Sequence, residues 1–181
     1  MVDRFITIAI TSPLFFEDES KIITNILREK KSDLVHLRKP TATCDELEKL
    51  INEIPSDLHN HLKLHDHFKL IDKYKIAGIH LNSRNPSPYP GAKNISISIH
   101  SLDEINGADD FDYFMISPIF DSISKKGYKA GFNLRELSEK IKNKKAVALG
   151  GVTPDKFPLL KSLGFYGGAM QGFFFSNINH Q

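Results

Sequence analysis

The sequence predicts an α/β fold, a compact (β/α)8 TIM barrel with a missing fourth helix and a truncated final helix. Three observations predict it. Short strand-like apolar runs alternate with segments of helical spacing along the chain. Eight such strand-and-crossover units follow one another, and strands joined by crossovers pair in parallel. No Gly-x-Gly-x-x-Gly turn follows the first strand, so an open doubly wound sheet lacks support. At 181 residues the chain has about 22 per unit, below the roughly 250 usual for the fold, and reads as one domain, 1–181. The missing and shortened helices account for the difference.

The elements follow in order. Phe5–Thr11 is the first strand, and a helix over 19–29 carries Ile22, Ile23, Ile26 and Leu27 at helical spacing. Leu34–Arg38 is the second strand. Thr43 then opens a helix with Glu46 three residues on, a capping box, and Leu47, Leu50, Ile51 and Ile54 form its apolar stripe. Leu62–His65 is the third strand, Phe68–Tyr74 a short helix and Gly78–Leu81 the fourth strand. Pro86, Pro88 and Pro90 exclude a helix from the fourth crossover, because proline lacks the N–H and clashes with the preceding turn. The fifth strand, Asn94–His100, alternates cleanly. Ile95, Ile97 and Ile99 are predicted to pack under helices, which turns Ser96, Ser98 and His100 inward. A brief helix Leu102–Ile105, a sixth strand Tyr113–Ser117, a polar loop 118–132 and a helix 133–143 come next. Lys145–Gly150 is the seventh strand. Thr153-Pro154-Asp155 caps a helix with proline at its first position, and Phe165–Met170 is the eighth strand.

Charge and composition exclude several function classes. Lys and Arg number 24 against 22 Asp and Glu, so there is no electrostatic case for a nucleic-acid or membrane partner. The Lys142–Lys145 cluster reads as a solvated helix end, where cations suit the dipole. The single cysteine, Cys44, allows no internal disulfide and no cysteine zinc site, and nothing near it marks a nucleophile. No apolar run reaches the roughly 18 residues of a membrane span, and the N-terminus lacks a signal-peptide layout. A cytoplasmic protein is expected.

In a barrel of this kind, reactive groups gather at the C-terminal strand ends and the loops beyond. His36 and Arg38 share a face at the end of strand two. Gly150-Gly151 after strand seven, with the glycines near strand eight, leave backbone N–H groups unobstructed for a phosphate. Ser122, Ser124 and Lys125 add hydroxyl donors and a cation, as a second phosphate or a diphosphate needs. Asp66, ending strand three at the same face, suits a magnesium ion beside a diphosphate. The run His59–His67 matches no standard zinc spacing, and its histidines read as surface or core residues.

Taken in order, HLRKP (36–40), LHDH (64–67), GIHL (78–81), SISIHS (96–101), DYFMISPIFDSISKKG (112–127), ALGGVTPD (148–155) and GFYGGAM (164–170) resemble the thiamine phosphate synthase family, which includes the aromatizing thiazole tautomerase. The resemblance runs over roughly residues 5–172. It implies a TIM barrel that joins a hydroxymethylpyrimidine diphosphate to a thiazole phosphate and releases diphosphate with the help of Mg²⁺. On that pattern Arg38 and Lys125 are catalytic, and Asp66 and Asn85 hold metal. His36, His65, Ser98, Ser122, Ser124, Gly150, Gly151 and Gly172 bind substrate.

The pattern is not kept throughout. His36 and His65 replace the family's Gln and Asn, Lys39 is displaced by one residue, Asn85 replaces a metal carboxylate, and Gly172 replaces a Ser. Pro118 fills the position of the tautomerase's catalytic His, although Lys125-Lys126-Gly127 is closer to that branch. Two alternatives therefore stand beside the synthase reading. One is a tautomerase whose base is His36, His65 or His100. The other is a non-catalytic paralogue that binds thiazole phosphate or thiamine phosphate. The expected partners are small-molecule substrates, with no nucleic acid and no membrane, and a homo-oligomer is compatible with the sequence.

Overall fold

The structure, a computed structural model, describes residues 4–121 and 131–175. Eight parallel strands close into a barrel in chain order, and the last pairs with the first. They are β1 (Ile6–Ile10), β2 (Leu34–Leu37), β3 (Leu62–Leu64), β4 (Gly78–Leu81), β5 (Ile95–Ile99), β6 (Tyr113–Ile116), β7 (Ala146–Ala148) and β8 (Gly167–Met170). The closing seam needs a glycine. Gly167 faces Ile6 across it, and a Cβ there would lie 2.6 Å from the Ile6 carbonyl oxygen.

The helices are α1 (Glu19–Arg28), α2 (Cys44–Glu53), α3 (Leu134–Lys140), α4 (Phe157–Ser162) and the short α5 (Gly172–Phe175). The capping box of α2 forms as expected: Thr43 Oγ1 accepts from Glu46 N–H, and the Glu46 carboxylate accepts from Thr43 N–H at 2.8 Å. Thr153 offers no side-chain cap, and Pro154 instead opens a 3-10 turn, Pro154–Lys156, that runs into α4.

The proline-rich fourth crossover has no helix; Asn82 and Asn85 bridge there in a tight turn. Its neighbours are leaner than expected. The third and fifth crossovers carry only 3-10 segments, Phe68–Asp72 and Asp103–Ala108. Three successive crossovers therefore lack an α-helix. With so little cover, Ile95 and Ile97 on the outer face of β5 stay half-buried while Ile99 is buried.

Two outer layers hold the barrel. Ile23 and Ile26 of α1 and Leu47, Leu50 and Ile51 of α2 pack with Ala9, Val35 and Leu37. Leu137 of α3 and Leu160 of α4 pack with Phe114, Ile116 and Ala146. The interior has two characters. Ile8, Ile10, Tyr113, Met115, Val147 and Ala169 form an apolar group, whereas β2 to β5 send in His36, Lys63, His80 and Ser96, all fully buried.

Lys39 turns the other way and is buried too. Its Nζ donates to both Glu19 carboxylate oxygens at 2.7 Å and to the Ser12 and Leu14 carbonyls at 2.9 Å, tying down the loop between β1 and α1. Among the described residues no helix is long and apolar enough to cross a membrane.

Candidate active site

A cavity of about 300 Å³ opens at the C-terminal ends of the strands. One wall presents Arg38, Arg84, His65 and Ser98; the opposite wall presents Gly150, Gly151 and Gly172. The strand geometry explains the first wall. Arg38 lies two residues beyond His36 and follows the same inward alternation past the end of β2. Burial lowers the affinity of its guanidinium for its proton, the Arg84 charge adds to this, and Asp66 opposes it.

Arg84 is held by the turn after β4. Asn82 Oδ1 accepts from the Arg84 and Asn85 N–H groups at 3.1 and 3.3 Å, while Asn82 Nδ2 donates to the His65 carbonyl at 2.9 Å. This asparagine fixes the turn against the end of β3, in the way short polar side chains stabilise turns. Arg84 Nη2 then reaches Asp66 Oδ1 at 3.2 Å. Arg84 stands outside the motifs that the sequence offers as site residues. The Asn-Ser-Arg-Asn run directly after a strand at the reactive face is the signal that finds it.

Asp66 is buried behind Arg84 and, like Asn85, does not itself line the cavity. Its Oδ1 takes Arg84 and the Asn85 amide N–H at 3.0 Å, while among the described residues Oδ2 has one long contact, 3.4 Å to Arg84 Nη2. Oδ2 therefore fits a magnesium ion that brings phosphate oxygens and waters as its other ligands, the usual habit of that ion. Asn85 turns its nitrogen to Asp66. Its Nδ2 donates both to Asp66 and to the His65 carbonyl at 2.9 Å, so the two acceptors fix the amide with nitrogen facing the carboxylate. As placed, its nitrogen rather than its oxygen meets Asp66, so it supports that carboxylate.

Under this wall lies a polar network. His36 Nδ1 and His65 Nε2 share a hydrogen bond of 2.8 Å, and His36 Nε2 meets the Tyr113 hydroxyl at 2.6 Å. His80 contacts Ser96 Oγ at 2.9 Å through Nδ1 and Ser98 Oγ at 2.8 Å through Nε2. Lys63 Nζ donates to Ser96 Oγ at 3.0 Å and sits 4.1 Å over the Tyr113 ring. Burial is the main reason all three imidazoles stay neutral. It holds His36 and His65 well below the usual histidine range, with neighbouring positive charge adding to the effect, and takes His80 to about 3. Burial likewise brings Lys63 down to about 8, against the pull of Asp112, and raises the Tyr113 phenol.

The expected residues thus divide. Arg38, His65, Ser98, Gly150, Gly151 and Gly172 line one cavity. His36 does not reach it and lies fully buried behind His65. Ser122, Ser124 and Lys125 fall outside the described residues. His100 is exposed at the cavity edge, with Ser117 3.4 Å from its Nδ1. The remaining histidines of the 59–67 run bond to backbone carbonyls: His59 to Ile51 and Ile54, His61 to Asp33, and His67 to Ala42. Gly150 and Gly151 have φ of 91° and 62°, and a Cβ on Gly150 would lie 2.8 Å from Pro118 Cα. Their glycine requirement comes from the close approach of loop 118–121 as well as from the cavity.

No curated protein matches the chain. Among solved structures, thiamine phosphate pyrophosphorylase from Bacteroides thetaiotaomicron is 36% identical with a TM-score of 0.79, covering 93% of this chain and 83% of that one. Thiamine phosphate pyrophosphorylase from Pyrococcus furiosus is 19% identical with a TM-score of 0.72, over 93% and 86% of the two chains, a likeness of fold. The family described as thiamine monophosphate synthase matches residues 7–172, every strand except the first residue of β1. The ordered motifs read from the sequence fall inside that match, and the chain belongs to the thiamine monophosphate synthase family.

Proposed function

We propose that the protein is a thiamine phosphate synthase-like transferase, joining hydroxymethylpyrimidine diphosphate to thiazole phosphate. The observation that carries this reading is that one cavity has two guanidinium groups, Arg38 and Arg84, on one wall and the Gly150-Gly151 and Gly172 backbone on the other. A diphosphate suits the first wall and a monophosphate the second.

The reaction is a substitution at the pyrimidine methylene. The C–O bond breaks with its electron pair leaving on the diphosphate. The thiazole nitrogen lone pair then forms the new C–N bond, so no protein nucleophile takes part. Arg38 and Arg84 donate hydrogen bonds to the leaving oxygens as their charge grows, where charge-assisted bonds are strongest. Arg84 can do this by turning from Asp66, which leaves that carboxylate free. Mg²⁺ at Asp66, when bound with the diphosphate, would supply further neutralisation of the leaving group. Asn85 keeps the Asp66 carboxylate oriented. Gly150 and Gly151 hold the thiazole phosphate so that the ring nitrogen faces the methylene. On the resemblance, Lys125, Ser122 and Ser124 complete the anion contacts.

The test is thiamine phosphate formation by the purified protein from both substrates across a range of Mg²⁺ concentrations. Product whose formation is lost with Arg38→Ala supports the reading. Binding of thiazole phosphate without product at any Mg²⁺ concentration overturns it, and proton exchange on a carboxythiazole phosphate would then indicate the tautomerase.

A further inference from the structure

We infer that His36, His65 and His80 form a binding site for one divalent transition-metal ion of the zinc, cobalt and nickel class, at the floor of the cavity. This site is separate from the oxygen-donor position at Asp66, and the inference does not rest on the synthase reading.

Three neighbouring strands deliver the ligands: His36 from β2, His65 from the residue after β3, and His80 from β4. One ring nitrogen from each lies within 4.8 Å of the other two. Around a zinc ion with bonds of about 2.1 Å, tetrahedral nitrogen ligands stand roughly 3.4 Å apart. The 2.8 Å pair His36 Nδ1 and His65 Nε2 must open slightly, and His80, now stacked on His65 with ring centroids 4.3 Å apart, must tilt its ring to aim Nε2 at the ion. Imidazole donors suit zinc, cobalt and nickel, whereas magnesium prefers oxygen.

The far nitrogens of His36 and His80 are already supported, as metal-bound imidazoles require, and that of His65 has the cavity beside it. With Nδ1 on the metal, His36 Nε2 donates to the Tyr113 hydroxyl at 2.6 Å. With Nε2 on the metal, His80 Nδ1 donates to Ser96 Oγ at 2.9 Å, and Lys63 anchors that oxygen from its other side at 3.0 Å. Ser98 is the group that gives way. It now contacts His80 Nε2, but it lines the cavity and can turn toward water. His65 lines the cavity too, so the ion has a way in and its fourth position faces the cavity. Arg38, Arg84 and Lys63 act on His65 electrostatically. That surplus of positive charge favours an anion, hydroxide or a phosphate oxygen, as the fourth ligand.

The experiment uses the full chain, stripped with chelator and carrying ¹⁵N-labelled histidine. Titration with Co²⁺ is expected to give one equivalent of strong visible bands of four-coordinate cobalt, unaffected by excess Mg²⁺. Zn²⁺ is expected to shift the imidazole nitrogens of His36, His65 and His80 and leave those of His59, His61 and His67 in place. His65→Asn should weaken binding roughly a hundredfold or more, while His61→Asn, far from the cluster, should not. Weak six-coordinate bands, no stoichiometric binding, or shifts confined to other histidines would overturn the inference. Should His65→Asn fail to fold, the wild-type nitrogen shifts decide the matter alone.

Discussion

Arg84 alters how the mouth of the barrel works. It brings a second guanidinium beside Arg38 and occupies the carboxylate that the motifs assign to metal. Each charge-assisted contact to a diphosphate is worth about 1.5–3 kcal/mol. Arg84→Ala is therefore expected to lower kcat/KM for the pyrimidine diphosphate by about ten- to a hundredfold, read from initial rates of thiamine phosphate formation. Asp66→Asn removes one negative charge next to both arginines. The half-saturating Mg²⁺ concentration in the same assay should rise, and a Mg²⁺ response identical to wild type would place the ion elsewhere. The residue types at 38 and 66 were legible because a strand end at the reactive face exposes them. The Asn85 amide orientation was not, because it is set by two acceptors, His65 and Asp66, that only the folded chain brings together.

The elements follow from local chemistry where local chemistry is strong. In α2, Thr43 and Glu46 satisfy each other's backbone donors, and the apolar stripe Leu47, Leu50 and Ile51 is buried on one face. Thr43→Ala is expected to cost about 1 kcal/mol in urea denaturation. The loop after β7 depends on contact instead. Gly151 has a positive φ of 62°, and a Cβ there would run into the Asp121 carbonyl and lie 2.9 Å from Phe120 Cβ. Gly151→Val should displace loop 118–121 and weaken thiazole phosphate binding in calorimetry by about tenfold or more. Unchanged affinity would remove this loop from the phosphate site. The third and fifth crossovers, where the spacing predicts short helices, are 3-10 segments, Phe68–Asp72 and Asp103–Ala108.

At the scale of the molecule, the barrel places a lysine where water cannot reach it. Lys63 is 1% exposed, pushed down to about 8 mainly by burial, and held by Ser96. Above pH 8 the folded protein releases this proton, whereas the unfolded chain keeps it up to roughly 10.4. The unfolded state thus binds more protons in that window, and this group's contribution to stability rises with pH. The stability of wild type relative to Lys63→Met should increase by about 2 kcal/mol between pH 7.5 and 9.5, measured by urea denaturation at the two pH values. A constant difference would show that Lys63 titrates normally.

Periodicity and turn chemistry determined the barrel. Period-2 alternation in β5 sends Ser96 and Ser98 inward to His80, and three prolines bar a helix from the fourth crossover. Such signals are local, so a single sequence carries them. Closure decided the rest. His36, His65 and His80 are far apart along the chain, and in sequence only His65 stood within a histidine-rich run, the others of which bond to backbone carbonyls. The barrel sets one ring nitrogen from each within 4.8 Å, because parallel strands in chain order bring β2, β3 and β4 side by side with like residues facing in. Arg84 meets Asp66 for the same reason, across the ends of two adjacent strands. Which side chains share a face follows from the chain's own period, but which atoms meet across the interior follows from register, and register exists only once the barrel has closed.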